Sequence, residues 1–154
     1  GIGGAYTIPY FRFGFEPENM QYRLVSPPNP NDKYRWAGLG FSSFYVARPD
    51  MGVTDEMIIC EGAKKAMVTA IHAPQTMQIF AVPSKSDFAG IEEVISGGRV
   101  WIILDPDATA RAHELARKFD NSVVVLLPVK IDDAINAGAS WKDVLGAMRY
   151  SRKK

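Results

Sequence analysis

The chain has 154 residues, 47% of them hydrophobic and 23% charged, with a formal net charge of +1. That composition suits one globular domain with a small appendage and excludes a protein that binds nucleic acid through bulk charge, leaving only local clusters of basic residues for that role. The single cysteine, Cys60, excludes an intramolecular disulfide and a cysteine-based zinc cage.

Cys60 lies in the apolar run Met57-Ile58-Ile59-Cys60 and reads as a small buried hydrophobe, in keeping with a cytoplasmic setting. No stretch approaches the ~18 consecutive apolar residues of a membrane span. The start, Gly1-Ile2-Gly3-Gly4, has neither a signal-peptide pattern nor an initiator Met, so a piece of a longer or processed protein is expected.

Residues 1–50 hold six of the ten prolines and many aromatics, and read as a small, largely β subdomain. Strands are expected over Tyr6–Phe15 and Met20–Val25, around a turn at Glu16-Pro17-Glu18-Asn19. Ser26-Pro27-Pro28-Asn29-Pro30-Asn31 reads as a loop, because its prolines lack amide donors. Lys33–Ala37 and Phe41–Ala47 are further short strands.

From residue 51 to about 140 short apolar strands alternate with helices. The strands are Met57–Cys60, Gln78–Val82, Val100–Leu104 and Ser122–Leu127. Helices are expected over Gly62–His72, Phe88–Ile95, about Ala108–Phe119 and Asp132–Asn136. This alternation predicts βαβ units, hence an α/β domain with a parallel sheet flanked by helices on both faces. A last helix, Trp141–Tyr150, leads into the basic tail Arg152-Lys153-Lys154, and together they occupy 141–154.

Ligands of an open parallel sheet bind beyond the C-terminal ends of its strands. Three of these strands lead to acids: Glu61-Gly62 after the first, Asp105-Pro106-Asp107 after the third, and Asp132-Asp133 after the fourth. Carboxylates crowded at one sheet edge repel unless cations neutralise them. Hard oxygen donors of this kind suit Mg²⁺ or Mn²⁺, ions that clamp phosphoryl groups in nucleotidyl transfer or phosphodiester cleavage. The plain alternative for each acid is the N-cap of the next helix. Glu61-Gly62 and Asp105-x-Asp107, in this order and about forty residues apart, make a more specific pattern than either alone.

That pattern resembles the Toprim family. Ile58-Ile59-Cys60-Glu61-Gly62-Ala63-Lys64-Lys65-Ala66 is similar to its first motif, an apolar strand ending in Glu-Gly before a helix. Ile102-Ile103-Leu104-Asp105-Pro106-Asp107-Ala108-Thr109-Ala110-Arg111 resembles its second. Lys130-Ile131-Asp132-Asp133-Ala134-Ile135-Asn136-Ala137-Gly138 is similar to the late acidic segment of phage and plasmid primases. The resemblance spans roughly residues 55–138 and implies a Rossmann-like Toprim fold. It implies Glu61 as a metal-binding or general acid/base residue, Asp105 and Asp107 as metal ligands, and Asp132 and Asp133 as candidates for a second ion. Two positions depart from the family's pattern: Lys65 stands where many Toprim primases have Asp, and Ala110 where Gly is usual.

The N-terminal segment resembles the one preceding Toprim in phage-type primases, through Ile8-Pro9-Tyr10-Phe11-Arg12-Phe13, Gln21-Tyr22-Arg23-Leu24 and Lys33-Tyr34-Arg35-Trp36. In it Arg12, Arg23, Lys33 and Arg35 alternate with Tyr10, Tyr22, Tyr34 and Trp36. Basic groups neutralise phosphates while aromatic faces stack on unpaired bases. A hairpin with aromatics inside and arginines outside accounts for the same alternation. Lys64, Lys65 and Arg111 stand close to the acids and are candidate nucleotide- or template-binding residues, with a solvated helix face as the alternative. Lys85 has a weaker claim, and His72 and His113 read as surface or boundary residues.

The expected function is metal-dependent primer synthesis on single-stranded DNA from nucleoside triphosphates. The zinc-binding module and helicase of such a system would lie elsewhere in the full protein, since this chain has one cysteine and no Walker motif. A metal-dependent nuclease on the same scaffold, or a degenerate Toprim module that binds nucleic acid without turnover, are the alternatives.

Overall fold

A computed structural model of the chain describes residues 4–11, 17–37, 44–83 and 90–151. Two sheets organise them. The first is antiparallel, with β1 (Ala5–Phe11), β2 (Pro17–Leu24) and β3 (Tyr34–Trp36) in that order. Pro17, Glu18 and Asn19, expected in a turn, belong to β2, while Glu16 and the end of the strand expected over Tyr6–Phe15 lie outside the described residues. Asn19 pairs with Tyr10 across the ladder, and Pro17 stands at the first position of its strand, where a missing amide donor is tolerated. The proline-rich segment 26–31 stays outside both sheets.

The second sheet has five strands: β4 (Tyr45–Val46), β5 (Glu56–Glu61), β6 (Gln78–Val82), β7 (Arg99–Ile103) and β8 (Ser122–Val124). Their order is β4-β6-β5-β7-β8; β4 is antiparallel to β6 and the other pairs are parallel. Tyr45–Val46, expected in the small N-terminal subdomain, therefore forms an edge of the larger sheet. The strand expected over Phe41–Ala47 lies partly outside the described residues. β8 ends at Val124, earlier than Leu127, because the chain leaves the sheet ahead of Pro128 and Leu126 is already exposed.

Among the described residues five α-helices flank the sheet: α1 (Ala63–His72), α2 (Ile91–Val94), α3 (Thr109–Ala116), α4 (Ile131–Asn136) and α5 (Trp141–Ser151). The expected helix from Ala108 to Phe119 is shorter, since a 3₁₀ turn at Pro106–Ala108 precedes α3. The start of the helix expected at Phe88 lies outside the described residues. Period-two burial divides the sheet's apolar side chains between two cores. Ile58, Ile79 and Trp101 share one with Ala66 of α1, Ile135 of α4 and Met148 of α5. Ile59, Phe80 and Ile102 share the other with Ile91 of α2 and Leu115 of α3. Helices thus cover both faces, as expected of a parallel sheet.

The two sheets are joined through aromatics. Tyr10 packs edge-on against Trp36 at 4.8 Å and Tyr45 at 6.1 Å between ring centroids. Phe11 forms an antiparallel bridge with Phe44. On the far side Arg48 fixes the turn between α1 and β6. Its guanidinium donates to the carbonyls of Ala70 (2.6 Å), Ala73 (3.2 Å), Pro74 (2.7 Å) and Met77 (2.5 Å). These include carbonyls left open at a helix C-terminus. No helix among the described residues is long and apolar enough to cross a membrane.

Candidate active site and nucleic-acid face

β5 has β6 on one side and β7 on the other, so the crossover direction reverses at β5/β7. This is the topological switch point, where the loops diverge and leave a crevice. Both principal acids stand there. Cys60 is opposite Ile103, so Glu61 ends β5 while Asp105 begins the turn just beyond β7. Gly62 allows the chain to leave β5 and enter α1 at once: its φ of 80° and ψ of 140° lie in a region essentially restricted to glycine. Its amide still donates to Val82 O at 2.7 Å.

Asp105 occupies the N-cap position of the 3₁₀ turn, yet its side chain makes no capping hydrogen bond. Its two carboxylate oxygens face lysines instead. Lys65 Nζ is 3.0 Å from Oδ1, with side-chain exposures of 15% for the lysine and 8% for the acid. Lys130 Nζ is 3.3 Å from Oδ2. A second pair adjoins it, Lys64 Nζ lying 2.9 Å from Asp132 Oδ2 where α1 packs on α4. Burial opposes ionisation of Asp132, but the Lys64 hydrogen bond and the charges of Lys64 and Lys65 hold its carboxyl below the usual value. The hydrogen bond and charge of Asp105 raise Lys130, with Asp133 and Asp132 adding to the effect.

The remaining candidates are arranged around this cluster. Asp107 is exposed on the 3₁₀ turn, and Asp133 is exposed on α4. Arg111 forms an ion pair with Glu114 on α3. Lys130 was not singled out among the sequence-derived candidates; its signal was a basic residue just ahead of Asp132-Asp133. Cys60 is fully buried, and burial pushes its thiol up to about 12, so it is the inert hydrophobe expected. His72 and His113 are exposed.

No group of three or more His, Cys, Asp or Glu side chains suited to a metal is gathered among the described residues. The five acids expected to hold ions therefore do not form a preformed cage. What the donor set fits is an ion of the Mg²⁺ kind, held by one or two carboxylates together with substrate phosphates and water.

The N-terminal sheet mixes basic and aromatic groups on both faces. Tyr6 pairs with Arg23, which pairs with Tyr34, giving an aromatic–basic–aromatic row on one face. Tyr6 is 63% and Tyr34 45% exposed, and the Arg23 guanidinium carbon is 6.0 Å from the Tyr34 ring centroid. Tyr22 pairs with Arg35 on the opposite face. Aromatics and arginines are thus not segregated inside and outside, although Tyr10 is buried. Lys33 and Arg35 are exposed, while Arg12 and Lys85 lie outside the described residues.

No protein-family model matches the sequence, nor does any curated protein. Solved structures do match the fold. The catalytic domain of the DnaG primase bound to single-stranded DNA is similar with a TM-score of 0.68 and 16% identity, over 94% of this chain and 52% of that one. The primase fragment of the bacteriophage T7 primase-helicase gives 0.65 and 12%, over 92% and 62%. The Aquifex aeolicus primase, comprising zinc-binding and RNA polymerase domains, gives 0.64 and 14%, over 94% and 39%. The chain spans about half the length of the DnaG catalytic domain. The observed architecture, a parallel sheet flanked by helices behind an antiparallel N-terminal sheet, is similar to that of the catalytic cores of bacterial and phage primases.

Proposed function

From that primase-core fold as premise, we propose that the chain carries out nucleotidyl transfer. It builds primers on single-stranded DNA from nucleoside triphosphates, in a reaction dependent on Mg²⁺ or Mn²⁺. The observation that carries the reading is the strand order β6-β5-β7, which brings Glu61 and Asp105 to the switch point. Glu61, Asp105 and Asp107 would hold the ion, which when bound neutralises charge on the phosphoryl group undergoing transfer. Lys65 and Lys130 stand beside Asp105 and Lys64 beside Asp132, and these cations would meet the triphosphate oxygens. Asp132 and Asp133, at the start of α4, would serve a second ion. Arg111 can release Glu114 to meet a phosphate.

The N-terminal sheet is the proposed template face. Tyr6 and Tyr34 offer exposed rings for unpaired bases, and Arg23, Lys33, Arg35 and Arg12 meet phosphates. In this reading residues 1–50, apart from Tyr45–Val46 on the larger sheet, serve the template, 51–140 the chemistry, and 141–154 form a terminal helix and tail. A zinc-binding module and a helicase belong elsewhere in the full protein, and the setting is cytoplasmic.

A second reading has one specific observation in its favour. The Lys65–Asp105 ion pair places a cation on a carboxylate expected to hold a metal. A Toprim module that binds template and nucleotide without turnover would have this arrangement.

Both readings are tested by incubating the chain with single-stranded DNA, nucleotides and Mn²⁺ or Mg²⁺, beside an Asp105→Ala/Asp107→Ala control. Metal-dependent products that vanish in the control support primer synthesis. Template binding without products supports the second reading.

A further inference from the structure

Two of the acids near the switch point, Asp105 and Asp132, are already paired with lysines of the chain itself. Asp105, with a side chain only 8% exposed, has a lysine at each oxygen, one from α1 and one from the loop before α4. Asp132 has Lys64 at Oδ2, while its buried Oδ1 finds no hydrogen-bond partner in another residue. An ammonium group within 3.3 Å of each Asp105 oxygen excludes a divalent cation from the same oxygens, by occupancy and by charge repulsion. The lysine stems are long and flexible, however, and a polyphosphate carries more negative charge than one carboxylate.

We infer that Lys65 and Lys130 are exchangeable counter-ions, which hold Asp105 closed to a divalent metal until a nucleoside triphosphate draws their ammonium groups onto its phosphates. The inference rests on the proposed nucleotide site and adds a mechanism of assembly to it. Lys65 and Lys130 act as positioning residues, shared in turn between a carboxylate and a phosphate. Metal and triphosphate then bind together, each strengthening the other by the same factor. The departure from the Toprim pattern at Lys65 becomes the feature that makes the site nucleotide-dependent.

The geometry requires opposite effects on two ligands when the lysine charges are removed. Lys65→Gln, Lys130→Gln and the double variant are titrated with Mn²⁺ alone, followed by electron paramagnetic resonance of the free ion. The same proteins are titrated with a nucleoside triphosphate in excess chelator, followed by calorimetry. Circular dichroism and thermal unfolding verify that each variant is folded. The double variant should bind Mn²⁺ about tenfold or more tightly than wild type, and metal-free triphosphate about tenfold or more weakly.

Tight Mn²⁺ binding by the wild-type chain alone would overturn the inference. So would a folded double variant that gains no Mn²⁺ affinity, or one whose triphosphate affinity is unchanged. Should the double variant fail to fold, the two single variants carry the same test with smaller shifts in the same two directions. These measurements do not depend on turnover. Opposed shifts without primer synthesis would retain the exchange and defeat the proposed reaction, whereas primer synthesis without them would do the reverse.

Discussion

Lys65 Nζ lies 3.0 Å from Asp105 Oδ1, so the helix that follows the first acidic strand end supplies a cation to the second. The two residues are forty positions apart in sequence and meet because β5 and β7 are neighbours. Lys65→Asp, which introduces the acid usual in Toprim primases, turns this attraction into repulsion. Lys130 still faces Asp105, so the expected cost in chelator is about 1–3 kcal/mol, less than for a fully buried unpaired charge. Added Mn²⁺ should recover most of it. Thermal unfolding with and without the ion measures this, and a loss of stability that Mn²⁺ does not reverse would count against the acids meeting here.

Arg48 should matter for stability as much as any core residue. Arg48→Ala removes the guanidinium donor from the carbonyls of Ala70, Ala73 and Met77, and from Pro74, whose carbonyl keeps the Met77 amide, at an expected cost of about 2–4 kcal/mol. Arg48→Lys cannot reproduce the planar fork and should recover less than half of that. Urea unfolding of the three proteins decides the point.

Gly62→Ala tests the backbone alone. Among the described residues beyond its two chain neighbours, no atom lies within 4 Å of the added Cβ, so the effect tested is that of the backbone conformation. The cost expected from φ 80° and ψ 140° is about 1–3 kcal/mol. Relaxation of the turn would also shift Glu61 and α1, so nucleotide affinity should fall along with stability. An alanine variant as stable as wild type would show that the turn adopts another conformation.

The Lys64–Asp132 pair predicts a pH dependence of definite sign. The Asp132 carboxyl is held below its ordinary value of 3.8, so its contribution is present above about pH 4 and lost as pH falls through the lower folded-state value. The stability difference between wild type and Asp132→Asn should be constant near neutrality and shrink in acid below that value. Denaturation at pH 7, 5, 4 and 3 checks this; a difference that grows in acid would contradict the pairing.

On the N-terminal sheet, the basic and aromatic residues should separate by salt dependence. Arg35→Ala should reduce the slope of log affinity for single-stranded DNA against log salt by about 0.7, as for one lost phosphate contact. Tyr34→Ala should weaken binding by about 1–3 kcal/mol with no change of slope. Fluorescence anisotropy across a salt series distinguishes them, and a Tyr34 variant that binds as wild type would remove that ring from the template face.

The sequence by itself determined the alternation of buried strands and helices, and it marked Glu61, Asp105 and Asp132 at the ends of strands or the starts of helices. Those features are local: an apolar run buried on both faces and an acid where the run stops need no knowledge of neighbours. Gly62 was legible for the same reason, through its place between strand and helix. The order of the strands was not legible, because it depends on crossovers whose direction no local pattern encodes. Only that order placed Tyr45–Val46 on the larger sheet and made β5/β7 the switch point. The partners of the acids were equally hidden. Lys65 on α1 and Lys130 just before α4 are ordinary basic residues in the sequence, yet both converge on Asp105 beyond β7. Charge pairing between distant segments is decided by tertiary structure, since its energy depends on separations of a few ångströms that the spacing of residues along the chain does not specify.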